Sequence, residues 1–147
     1  MKGFNHALGQ CAIAFFAVPK LAKRYRATFP KSLNGAPLLM PGDNAQVQAP
    51  LARWLNERQI QSHIIGKFDD SALMKAFGKA GVGVFPAPVI LADEIIEQYG
   101  VEVIGCADDV MARYYAISVE RRLTHPAVVA VTKVAKHALF AKDETTR

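Results

Sequence analysis

The sequence predicts an α/β fold, with a mixed, mainly parallel sheet flanked by helices. Two features carry that prediction. Short apolar segments alternate with amphipathic ones along the chain, as β–α units do. The short segments are nearly continuous in apolar content, which is how strands read when helices cover both faces of a sheet.

Ala12–Val18 (AIAFFAV) is an apolar run ended by Pro19, and its adjacent phenylalanines favour a strand. Leu21–Phe29 supplies one or two helical turns, stopped by Pro30, and Ser32-Leu33-Asn34-Gly35 is a turn signal. Pro37–Met40 is a second strand, closed by Pro41-Gly42. Val47, Leu51, Trp54 and Leu55 then recur at helical spacing over Val47–Arg58. Pro50 lies early in that helix, where a missing N–H is tolerated. Ser62–Phe68 is the next strand. Asp69 and Asp70 precede a helix over Ser71–Lys79 with Leu73, Met74 and Phe77 as its apolar face, and Gly78 and Gly81 mark its end.

A third unit repeats the plan. Val82–Phe85 is a strand, and Pro88–Gln98 is a helix that buries Ile90, Leu91, Ile95 and Ile96 and ends at Gly100. Val101–Ile104 and Met111–Val119 read as two further strands, with a solvated turn at Asp108-Asp109 between them. Thr124-His125-Pro126 opens a last helix. Its stripe of Val128, Val131, Val134, Ala135, Ala138 and Leu139 has no following strand to cover.

Composition narrows the classes. The chain has 147 residues, enough for one domain that buries roughly two thirds of its unfolded surface without disulfides or metal. Hydrophobic residues make up 51% and charged residues 21%, which excludes disordered and low-complexity classes. No apolar run approaches the ~18 residues of a membrane span. Cys11 and Cys106 have no metal-site spacing, are too few for a disulfide scaffold, and suit a reducing cytosol. Lys2 followed by Cys11–Val18 imitates a signal peptide, but no small-x-small cleavage site follows; Gln10 spoils a lipoprotein box at Leu8-Gly9-Gln10-Cys11. The segment reads as a buried strand.

The net charge of +5 is uneven. Residues 1–42 hold Lys2, Lys20, Lys23, Arg24, Arg26 and Lys31 and no acid, whereas residues 43–147 carry 12 basic and 13 acidic side chains. The cluster from Lys20 to Lys31 could touch phosphates, but the ordinary reading is the solvated face of a short helix.

Catalytic motifs are absent. There is no Walker loop, no G-x-S-x-G elbow and no HExxH, and His6, His63, His125 and His137 are scattered. Asp69 and Asp70 are the most informative pair. Carboxylates after a strand can bind a cation or act as acid and base. Against that stands the plainer reading that Asp70 caps the following helix and Asp69 favours its positive end. From the residues alone the chain is an α/β binding domain, or a small metal-assisted enzyme using Asp69 and Asp70.

The stretch Gly66-Lys67-Phe68-Asp69-Asp70-Ser71-Ala72-Leu73-Met74-Lys75-Ala76-Phe77-Gly78-Lys79-Ala80-Gly81 resembles a segment of LysR-type transcriptional regulators of the NhaR group, activators of a sodium/proton antiporter gene. Leu38-Leu39-Met40-Pro41-Gly42, Trp54-Leu55-Asn56 and His125-Pro126-Ala127-Val128 extend the resemblance over nearly the whole chain. It implies the type II periplasmic-binding-protein-like fold, with residues 1–124 as the second regulatory subdomain. Residues 1–10 would come from the end of the first subdomain, and residues 125–147 would be the terminal helix that returns to pack on it. Pro50 departs from the group's pattern, which puts the first turn of its helix in question.

The resemblance further implies a cytoplasmic effector-sensing module with no catalysis, no cofactor, no metal and no membrane contact. Its partner would be a small-molecule or ion effector, bound between lobes. Phe68, Asp69 and Asp70 at one strand–helix junction, and Val84, Phe85 and Pro86 after the next strand, would be the ligand-binding residues on this lobe, side by side on adjacent parallel strands. DNA would be reached only through an N-terminal winged helix that this chain lacks, in a homo-oligomer of the full-length regulator. Val47–Arg58 would pack there on another chain's first subdomain. The isolated chain is therefore expected to self-associate, and sedimentation as a clean monomer at high concentration would contradict this.

Overall fold

Phe15 and Phe16 are neighbours on one strand, so their rings leave on opposite faces, and each founds one half of the core. In the computed structural model, which describes residues Phe4–Ser118 with side chains for residues 9–113, both are fully buried. Strand β1 (Phe4–Ala17) carries them. It is followed by α1 (Pro19–Arg26), a single 3-10 turn (Lys31–Leu33), β2 (Pro37–Pro41), α2 (Gln48–Glu57), β3 (His63–Phe68) and α3 (Ser71–Lys79). Next come β4 (Phe85–Pro88), a second 3-10 turn (Val89–Leu91), α4 (Ala92–Tyr99) and β5 (Glu102–Ser118). Ala12–Met111 forms one compact unit; the outer ends of β1, to Cys11, and of β5, from Ala112, belong to another. The expected last helix from Thr124 lies outside the described residues.

The strands form two sheets, β4-β1-β5 and β2-β3, in place of the single mixed sheet expected, and parallel and antiparallel pairs both occur. β2 and β3 pair in parallel, and β4 pairs antiparallel with β1, from Phe16 opposite Phe85 to Ile13 opposite Pro88. The strand order around β1 is β4-β1-β5. One parallel bridge, Leu38 to Val84, joins the two ladders. There the Val84 N–H donates to the Pro37 carbonyl at 2.8 Å and the Leu39 N–H to the Val84 carbonyl at 2.7 Å. The next residue facing β2, Pro86, has no N–H to give, and the ladder stops.

Each face of the sheet has its own packing. Phe15 meets Phe29 and Trp54, both with ring centroids 5.8 Å away. Such pairs each add about 0.5–1.5 kcal/mol beyond the area they bury. On the other face Phe16 stacks on Phe85 at 5.5 Å, within a cluster that includes Leu39, Met74, Ala87, Ile95 and Val101. Gly105 makes room for the Phe29 ring, which a Cβ at that position would strike.

Most elements stand where the sequence places them, with ends moved by identifiable causes. Helix α1 begins at Pro19, whose fixed φ suits the first helical position, and stops at Arg26, because Pro30 disfavours helical backbone before it. Pro50 is the third residue of α2, and the first helical bond runs from the Leu51 N–H to the Val47 carbonyl at 3.0 Å, so its missing donor breaks nothing. Its helix is intact from Gln48. The apolar side of α2, Leu51, Trp54 and Leu55, is buried within this chain.

Five expectations are corrected. The two strands expected at Val101–Ile104 and Met111–Val119 are joined as one, β5 (Glu102–Ser118), because an Asp108-Asp109 pair without Gly or Pro need not break a ladder. The strand expected at Val82–Phe85 is Phe85–Pro88, with Val84 contributing a single bridge. The expected Pro88–Gln98 helix starts with a 3-10 turn, and Ile96 is exposed; Gly100 does end it, at φ 62°. Strand β3 is an edge, not a covered strand, with Ile64 and Ile65 exposed and a one-residue register shift. On α3 the buried line is Met74 and Gly78, while Leu73 and Phe77 are 50% and 41% exposed.

Gly78 is the cause of that rotation: the Phe85 ring lies where its Cβ would be. Gly78→Ala should therefore destabilise the chain by about 1–2 kcal/mol in urea unfolding. Overpacking, ~1–3 kcal/mol, outweighs the ~0.5–1 kcal/mol that alanine ordinarily gains over glycine within a helix.

Candidate functional site

Strands β2 and β3 are parallel, so both end at the same rim of the sheet, where α3 begins. Past the last strand pair, Pro41 opposite Phe68, the Gly42 N–H donates to the Phe68 carbonyl at 2.7 Å. This carries the pairing one residue further and brings Asp69 over Gly42. A Cβ at Gly42 would collide with Asp69 Oδ1, so this position must lack a side chain for the carboxylate to lie there. Pro41-Gly42 reads in the sequence as a strand stop, and its second role as a seat for Asp69 has no local signal.

The two aspartates divide their work. Asp70 is the N-cap of α3, its Oδ1 accepting from the Ala72 N–H at 2.9 Å and from the Leu73 N–H at 3.4 Å. The plainer reading of Asp70 is thus the geometry found. Asp69 is exposed and its side chain engages no described residue in a hydrogen bond or ion pair. Phe68 is half-buried, its ring 5.2 Å from that of Phe77. On the same rim Lys67 pairs with Asp43 at 2.9 Å, a surface ion pair that contributes little by itself.

Val84, Phe85 and Pro86 are placed differently from expectation. All three are buried; Phe85 is part of the core and Pro86 lies opposite Phe15 in the β1 ladder. Their strand does not adjoin β3, because β2 lies between, paired with β3 on one side and bridged to Val84 on the other. Chain order suggests neighbouring strands, but β2 has two edges and uses both. Phe68, Asp69 and Asp70 therefore share the rim with Gly42 and Asp43, while Val84 and Phe85 are buried on the other side of β2. Because Asp70 takes two of the first N–H groups of α3, the exposed rim offers carboxylate oxygen more readily than amide donors. The described residues contain no group of three or more His, Cys, Asp or Glu able to hold a metal ion.

Away from the rim, Arg58 lies 4.4 Å over the Trp54 ring and bonds Asp109 at 3.0 Å. Asp109 is thus on a strand and paired across to α2, not in the solvated turn expected of it. Cys106 is half-buried beside the Phe16–Phe85 cluster.

A family model for the LysR substrate binding domain matches residues 5–139. The chain belongs to the LysR substrate-binding domain family. It is 34% identical over 138 residues to the transcriptional activator protein NhaR of Escherichia coli strain K12, and equally to that of Shigella flexneri. Each match covers 94% of this chain and 45% of the relative, so the chain spans less than half the length of these relatives. Among solved structures, the regulatory domain of HypT from Salmonella typhimurium aligns with a TM-score of 0.69 at 16% identity, covering 95% of this chain and 68% of that one. The effector domain of AmpR from Pseudomonas aeruginosa aligns at 0.68 and 17%, covering 97% and 68%. The fold is that of LysR regulatory domains, periplasmic-binding-protein-like, and the family is not enzymatic. The reading as a small metal-assisted enzyme using Asp69 and Asp70 is set aside with it.

The LysR domain's two aspartates separate by stability. Asp70→Ala should lower unfolding free energy by about 1 kcal/mol through loss of the cap. Asp69→Ala should change it by no more than about 0.5 kcal/mol, as a surface position does. Equal effects in denaturant titration would contradict the division of roles.

Proposed function

We propose that this chain is the effector-sensing part of a LysR-type transcriptional activator of the NhaR group, and that its effector contacts the rim at Phe68, Asp69 and Asp70. Val84 holds β2 through its two backbone bonds, while Phe85 and Pro86 pair with β1. The observation that carries the site is the exposed Asp69 carboxylate, seated on Gly42 at the meeting of two strand ends and a helix start. In open α/β sheets that edge is where ligands sit. With two amide donors of α3 already bonded to Asp70, a cation or a hydrogen-bond donor suits the site better than an anion. The sodium response of the NhaR group fits this chemistry.

In this reading the module works in the cytoplasm, within a homo-oligomer, and the reading of DNA sequence belongs to a winged helix outside it. Residues 1–10 and 125–147 belong with the first regulatory subdomain, which supplies the second wall of the effector cleft. Support comes from the family membership, the similarity to an activator, and the share of the relatives' length that the chain spans. No helix among the described residues is long and apolar enough to cross a membrane.

Calorimetric titration with Na⁺, Li⁺ and small carboxylates tests the site. A half-cleft lacks one wall and its desolvation, so weak cation binding is expected, abolished by Asp69→Ala. Tight stoichiometric binding of a carboxylate, or turnover of any of them, would overturn the reading. In a regulator of the relatives' full length, Asp69→Ala should alter the effector response and leave DNA affinity unchanged.

A further inference from the structure

We propose that the cationic outer face of α1 is an auxiliary, sequence-independent contact for the phosphate backbone of duplex DNA. Lys20, Lys23 and Arg24 stand at i, i+3 and i+4, so they share one side of the helix, opposite the buried Ala22. All three are exposed, and none forms an ion pair among the described residues. Arg26 differs: it turns toward β5 and bonds Glu102 at 2.8 Å and the Val103 carbonyl at 3.1 Å. Lys31 adds a further exposed cation in the 3-10 turn that packs against α1.

Local electrostatics explain only part of this charge. Lys23, Arg24 and Arg26 lie in the last turn of α1, where the helix dipole favours cations. Lys20 lies in the first turn, where the dipole opposes it, and that turn has neither an acidic residue nor a side-chain cap. A one-signed face, including one cation held against the helix's own field, is complementary to a regular row of anions, which is what a duplex backbone presents. Among the described residues of this helix the one aromatic, Tyr25, has the Arg24 guanidinium over its ring at 5.6 Å, so it offers no open face for stacking on bases. The contact is therefore electrostatic and reads no sequence. It rests on the reading that the chain works within a transcription regulator, whose attachment to DNA elsewhere raises the effective concentration enough for a weak contact to count.

Fluorescence anisotropy with a short duplex of arbitrary sequence, without effector, provides the test, so failure of the effector site leaves the readout untouched. Three phosphate contacts predict an affinity that falls about 40-fold between about 50 and about 200 mM NaCl. The double variant K20E/K23E should bind at least about tenfold more weakly at the lower salt and lose most of that salt dependence. Glutamate at position 20 suits the helix dipole, and a thermal melt confirms that the variant remains folded. The control K75E/K79E on α3 changes the net charge equally and should retain most of the affinity. Equal losses in the two variants, which indicate net charge alone, would overturn the proposal. So would unchanged binding by K20E/K23E, or tighter binding of poly-glutamate than of the duplex, which would indicate an acidic protein partner.

Discussion

The stacked pair Phe16–Phe85 beneath Gly78 is the contact on which the rest of the described structure depends. It sets the register of β4 against β1 and the height of α3 above the sheet. Since α3 starts immediately after β3, that height in turn places Asp70 and Asp69 at the strand ends. A wider residue at position 78 would lift the helix and the rim together. Close packing transmits such a displacement because the core has no slack to absorb it.

The rim depends on a second omission of a side chain. Gly42 extends the β2–β3 pairing by one hydrogen bond and leaves the volume that the Asp69 carboxylate occupies. One aspartate then serves the helix and the other faces solvent. Two adjacent residues of the same type thus have different roles, and the difference comes from backbone geometry. The cap uses carboxylate oxygens to satisfy amides that would otherwise be open, which shifts the local balance from anion binding toward cation binding.

On the opposite face, the Phe15–Phe29–Trp54 group draws α2 and the segment after α1 against the sheet. Arg58 closes it by covering Trp54 and reaching Asp109 on β5. Arg26 ties α1 to β5 in the same way through Glu102. Each arginine lays a guanidinium across apolar surface or carbonyl oxygen while its charge remains partly hydrated, so these ties fix orientation more than they add stability.

By itself the sequence determined the α/β class, the helix over Ser71–Lys79 to the residue, the cap at Asp70 and the left-handed stop at Gly100, because each of these depends on neighbours within a few positions. The string from Gly66 to Gly81 likewise pointed to the LysR family. Tertiary structure alone decided the strand order, since hydrophobic content states that a strand is buried and not which strand lies beside it. That order put β2 between the two segments expected to line one cleft, and it sank Val84 and Phe85 into the core. It also decided which line of α3 is buried, through a ring from a distant strand meeting Gly78, and which glycine lies under Asp69. Such contacts join residues far apart in the chain, and no local pattern of residue types encodes them.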